Sequence, residues 1–147
     1  MKDFFKDIYT YQHHYNQQLA DLMSNNKTQV SNQSITWFSH IINAHRFWIS
    51  RIEGTAAIDL HKINTIDENK SIDTANYNKT QELITQRDIS QIITYKNSKG
   101  IQYTNSLQEI LFHVSNHHTH HRGQIIADLR KNGVTDPFAS DYIVYKR

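Results

Sequence analysis

The sequence predicts an all-α protein, a four-helix bundle with a short β-hairpin before the last helix, in a single domain over residues 1–147. Three observations predict it. Apolar residues recur at helical spacing in successive segments separated by cap and turn signals. Two short β-rich runs flank one Asn/Gly turn. No internal repeat, linker or low-complexity stretch divides the 147 residues, a length typical of one domain.

The first helix is read from Phe4, Ile8, Tyr11, Tyr15, Leu19 and Leu22, a stripe ending in the polar loop Ser24-Asn25-Asn26. Ser31 or Ser34 is the expected N-cap of the second, whose apolar face holds Phe38, Ile41, Ile42, His45, Trp48, Ile49 and Ile52. Gly54 sits where a glycine stops a helix. Residues 55–65 read as a connection. A third helix over 66–87 rests on Ile66, Tyr77, Leu83 and Ile84. Ile92–Tyr95 and Ile101–Thr104, joined by Asn97-Ser98-Lys99-Gly100, form the hairpin. Ser106 with Glu109 makes a capping-box pattern that opens the fourth helix, which runs to about Lys131 and closes at Asn132-Gly133. The remainder, with the only proline, Pro137, reads as an irregular tail.

Composition excludes several function classes. The 16 basic and 14 acidic residues are scattered, for a net charge of +2, so no electrostatic footprint for nucleic acid is expected. No apolar run reaches the ~18–20 residues of a membrane span, and no signal-peptide core follows Met1, so a cytoplasmic location away from membranes is expected. With 0 Cys there can be no disulfide, thiolate metal site or cysteine nucleophile.

Histidine is the informative residue. Five of the ten lie within residues 113–121. His113, His117 and His121 are spaced i, i+4, i+8, and an i, i+4 pair on a helix can share one metal ion. His113 and His121 are separated by about 12 Å of helix rise, so the pair is 113 with 117 or 117 with 121. A third ligand must come from elsewhere, and the second helix offers His40 and His45. Being about 140° apart on the wheel, only one can face a given site, and periodicity slightly prefers His45. The segment is not a zincin motif, because position 118 is His where that motif needs Glu.

The run Leu111-Phe112-His113-Val114-Ser115-Asn116-His117-His118-Thr119-His120-His121-Arg122-Gly123-Gln124-Ile125 resembles the signature helix of the DinB/YfiT-like metalloenzyme family. Tyr11–Leu19, His40-Ile41-Ile42 with Trp48 and Arg51, Tyr95–Gly100 and Asp141–Tyr145 extend the likeness over nearly the whole chain. The resemblance implies a four-helix bundle, commonly a homodimer, that holds a divalent metal, zinc or nickel, through His40, His117 and His121. It moves His45 from ligand to core or supporting residue. His113, Asn116 and Glu109 are then candidates to orient the site, with Glu109 placed to fix the His113 ring, and His118 could crowd the site or add a ligand. Gly123 is read as permitting close helix packing, and Arg122 and Gln124 as pairing with the tail or a partner subunit.

Characterised relatives include transferases that use low-molecular-weight thiols such as bacillithiol or mycothiol. The resemblance therefore implies a metal-dependent S-transferase in which a small-molecule thiol, activated by the metal, attacks an electrophile. Metal-assisted hydrolysis and a non-catalytic metal-binding stress protein are the alternatives. Substrate contacts are expected from residues 55–65 and the hairpin.

Overall fold

The computed structural model describes residues 1–135 and 137–147. Four long helices dominate: α1 (Lys2–Asn25), α2 (Asn32–Glu53), α3 (Ile66–Gln86) and α4 (Leu107–Lys131). The hairpin of β1 (Ile92–Lys96) and β2 (Gln102–Ser106) precedes α4, and a one-turn α5 (Tyr142–Tyr145) stands in the segment read as irregular. The strands pair antiparallel with Tyr95 opposite Tyr103, and β2 runs directly into the Ser106 cap. This is the helical bundle with a hairpin that the sequence predicts.

The ends of the helices follow local chemistry. Ser31 caps α2 by accepting from the Ser34 N–H, and Gly54 ends it in the left-handed region at φ 69°. Capping boxes open α3 (Thr65 with Glu68) and α4 (Ser106 with Glu109).

Hydrogen bonds give the helix directions. Tyr9, Gln12 and Asn16 of α1 reach Leu111, Ser115 and His118 in turn, so α1 and α4 are parallel. Lys2 bonds Thr85 while Gln17 bonds Lys70, so α1 and α3 are antiparallel. Contacts of Ser39 with Asn69, Ile42 with Asn76 and Ile52 with Arg87 make α2 and α3 parallel. Ser34 bonds Asp128 while Trp48 packs on His113, so α2 and α4 are antiparallel. The order is up-down-down-up, and the connection 54–65 must cross the length of the bundle to join two parallel helices.

Two apolar clusters fill the ends of the bundle. One gathers Phe5, Tyr9, Ile49, Ile52, Leu83, Ile84, Leu107 and Ile110; the other gathers Leu19, Met23, Phe38, Ile41, Ile42, Ile125 and Leu129. Between them lies a buried polar layer of Gln12, Asn16, His45, Asp73, Thr80, His118 and Arg122. Arg122 is 0% exposed; its guanidinium donates to Gln12 Oε1 at 2.8 Å and to Tyr11 Oη at 2.9 Å. Asn16 donates to Asp73 at 2.7 Å and to His118 Nδ1 at 2.9 Å, and Asp73 accepts from His13 at 2.6 Å. Asp73 thereby sits close to the guanidinium with both its oxygens bonded, as a buried carboxylate needs to be.

This layer corrects the expected face of α1. Phe4 is 53% exposed, and the buried ridge is Phe5, Tyr9, Gln12, Asn16, Leu19, Met23, spaced 4, 3, 4, 3, 4. Two amides occupy the centre of that ridge, so a search for apolar residues alone settles on a rotated stripe. Tyr11 and Tyr15 are buried by the chain after α4, Tyr11 against Tyr142 and Tyr15 stacked on Phe138. The expected role of Gly123 is also corrected: it is exposed, and a Cβ added there would meet nothing within 4 Å. No helix among the described residues is long and apolar enough to cross a membrane.

Candidate metal centre

The antiparallel pairing of α2 and α4 sets His40 opposite His117 and His121, which stand one turn apart on α4. One ring nitrogen of each of the three lies within 4.8 Å of the others. Nε2 of His40 and Nε2 of His117 are 3.1 Å apart, and the His40 ring stands at 5.0 Å from that of His121. All three are half-buried.

The remaining ring positions are held by neighbours. His121 donates from Nδ1 to Gln124 Oε1 at 2.6 Å, which leaves its Nε2 as the free lone pair. His40 donates to the backbone carbonyl of Leu60, in the crossover connection. Oxygen partners of this kind fix the tautomer and aim of a ligating imidazole.

Electrostatics keep the rings neutral. Burial, followed by repulsion from His121 and His40, pushes His117 down to about 3. Burial also lowers His40 and His121, against the Leu60 and Gln124 hydrogen bonds that raise them. Three neutral imidazoles at neutral pH, with converging nitrogens, fit a divalent metal ion: the donors need no deprotonation before they bind. Such a set leaves an ion its full charge and room for a further ligand.

The structure places the other sequence candidates as follows. His45 is in the polar layer, with its Nε2 at 2.8 Å from Thr80 Oγ1 and its ring on Tyr9 and His118, away from the triad. The wheel preferred it because it lies at the centre of the buried face; a ligand position lies at the edge, where His40 is. His118 points into the bundle and accepts from Asn16, so it neither crowds the triad nor joins it. His113 packs between Trp48, at 5.4 Å, and His117, at 6.0 Å. Glu109 accepts from Ser106 and Asn105, serving the helix cap and not the His113 ring. Asn116 is exposed on the opposite side of α4. Arg122 is bonded to α1, and Gln124 to His121, neither to the tail.

Sequence reasoning missed the two groups that orient the ligands. Gln124 stands three residues after His121, a spacing that could have revealed it. The Leu60 carbonyl carries no side-chain signal at all.

The triad opens into a cleft of about 290 Å³ lined by Gln33, Thr36, Trp37, His40, Leu60, His61, Lys62, Ile63 and His121. Among these described residues none is acidic. A second cleft, of about 250 Å³, lies on the hairpin side and is lined by Trp48, Tyr95, Asn105, Glu109, Ile110 and His113.

The model of the DinB family matches residues 21–147. No curated protein matches the chain.

Proposed function

The chain belongs to the DinB family, and from that membership together with the histidine triad we propose a metal-dependent S-transferase that uses a low-molecular-weight thiol. The observation that carries the reading is the convergence of His40, His117 and His121, the first and last of which line a cleft with no acidic residue among its described lining. A carboxylate beside the ligands would serve a hydrolase by steering its water, so a cleft without one favours the thiol reading.

His40, His117 and His121 would hold the ion, zinc or nickel. When bound, it would supply Lewis acidity that stabilises a thiolate at neutral pH. The protein's own residues do the rest. The sulfur must arrive on a small molecule, since the chain has 0 Cys. Lys62 and His61 at the cleft mouth suit a thiol that carries a carboxylate or phosphate, and Trp37 and Ile63 offer an apolar wall to the electrophile. Leu60 and Gln124 keep the imidazoles in one orientation throughout. The overall change is thiol plus electrophile to thioether, with the leaving group departing with the thiol proton or, for an epoxide, the ring oxygen taking it.

We also propose that the chain forms a homodimer, a reading supported by the family. Exposed Phe4 and Phe112 line a groove between α1 and α4 that includes Gly123, a surface suited to a second copy.

The testing experiment uses cobalt-substituted protein. Added bacillithiol, glutathione or coenzyme A should give sulfur-to-cobalt charge-transfer absorption, with one of them binding far more tightly than a simple alkyl thiol. The same mixture should convert a chlorinated nitrobenzene or an epoxide to thioether faster than metal-free protein does. Full metal occupancy with no thiol binding and no turnover would overturn the reading.

A further inference from the structure

The cleft on the hairpin side has a chemistry of its own. Trp48 of α2 and Tyr95 of β1 stand edge to face at 5.1 Å and form its aromatic walls. Arg51, which is not among the lining residues, is spread over Phe47 at 4.2 Å, Tyr95 at 4.9 Å and Trp48 at 5.5 Å. That stack braces the two rings against each other.

Two polar groups of the cleft, Tyr95 and Glu109, offer acceptors. Tyr95 Oη donates its proton to Asn105 Oδ1 at 2.7 Å, so towards a ligand it can only accept. Asn105 Nδ2 is directed at Glu109 Oε2, at 3.4 Å. The cap of α4 draws on that same oxygen, with Ser106 N at 2.7 Å and Ser106 Oγ at 2.9 Å. Among the described residues nothing bonds Glu109 Oε1. The Ser106 N–H holds the Glu109 carboxyl below its ordinary value, so the group is ionised at neutral pH.

An ionised carboxylate, a phenolic lone pair and two aromatic rings around about 250 Å³ form a receptor for an ammonium group. His113 connects this cleft to the triad, its ring touching Trp48 on one side and His117 on the other. Glu109 lies eight residues before His117 on α4, about 12 Å of helix rise.

We propose that the Trp48–Tyr95–Glu109 cleft binds the primary ammonium end of a small-molecule substrate whose reacting atom sits at the histidine triad. This rests on the S-transferase reading for what happens at the triad, and deepens it by giving one substrate class: an amine-bearing molecule with a spacer of several bonds between its nitrogen and its reacting atom. The ammonium donates to Glu109 Oε1 and Tyr95 Oη. The thiol or the electrophile could carry it, and the two sources share this chemistry.

Aminoalkanethiols of graded length test it. On cobalt-substituted protein, aminohexanethiol should bind at least ~10-fold more tightly than mercaptohexanol, while cysteamine, too short to span, should show no such advantage over mercaptoethanol. Glu109→Gln keeps the capping box, because Gln serves at that position as Glu does, and should abolish the preference while leaving mercaptohexanol binding unchanged. A separate arm contains no sulfur. In a Trp37→Phe background Trp48 is the sole indole, and hexylamine should quench its fluorescence in a Glu109-dependent manner. An amine-tailed electrophile that competes with hexylamine, with no preference among thiols, would assign the ammonium to the electrophile. Should no thiol perturb cobalt while hexylamine still quenches through Glu109, the thiol chemistry fails and the ammonium site stands. Equal binding of aminohexanethiol and mercaptohexanol, with no Glu109-dependent quenching, overturns the proposal.

Discussion

Acidification should destabilise the metal-free protein through His45, and the size of the effect can be worked from its burial. The ring is 4% exposed; burial pushes it down to about 4, only partly opposed by the Asp73 charge. In the unfolded chain it titrates near ~6.5. Its folded value is therefore depressed, and for a base this means the unfolded state takes up the proton first. The associated stability is complete above pH ~6.5 and is lost as pH falls towards ~4, at up to ~1.4 kcal/mol per unit. Between pH 7 and pH 5 the loss assigned to His45 is about 2 kcal/mol. His118, His117, His40 and His121 are lowered too and add to the total, so the measurement must be a difference. His45→Gln retains a hydrogen-bonding partner for Thr80 and removes one titration. Denaturant unfolding of chelator-treated protein, followed by circular dichroism at both pH values, gives the four free energies. The variant should lose about 2 kcal/mol less than wild type on going to pH 5. Equal losses in the two proteins would refute the reasoning, since His45 would then be accessible to protons in the folded state.

His40→Ala, His117→Ala and His121→Ala should each abolish bound zinc or nickel in purified protein, by elemental analysis, while His45→Gln retains it; normal metal in the His40 variant would remove that residue from the ligand set. Arg122→Met should destabilise by about 3 kcal/mol in denaturant unfolding, because it takes away the donor to Gln12 and Tyr11 and the countercharge near Asp73 inside the bundle; a loss under ~1 kcal/mol would mean the layer rearranges around the gap. Light scattering at micromolar concentration should return twice the chain mass, and Phe112→Asp should halve it; a wild-type monomer would refute the dimer.

Three helix boundaries were legible because they are written in local chemistry: Ser31, Gly54 and Ser106 act within a few residues of themselves. Helix orientation was less so. The buried ridge of α3 is Asn69, Asp73, Asn76, Thr80, Leu83, a helical period carried mostly by polar residues that an apolar search cannot see. The same blindness rotated α1, where Gln12 and Asn16 hold the centre. At the candidate site, spacing on α4 limited the ligands to two pairs, and only the family likeness chose among His40 and His45. Leu60 was invisible for a simpler reason: any residue there has a carbonyl.

The up-down-down-up order has a kinetic consequence. Each helix can form from its own neighbours within microseconds, but the polar layer joins residues 102 apart in sequence at Asn16 and His118 and 110 apart at Gln12 and Arg122. His40 and His117 are separated by 77 residues. Closing loops of that length is entropically unfavourable, and nothing is returned until both helices arrive with their amides in register. The His117–His121 pair forms with α4 alone, but the complete triad waits for α2 to dock. A metal dye displaced during refolding would therefore report three-ligand binding only at the docking of α2 on α4, a tertiary event, and no more than the weaker α4 pair while the individual helices appear.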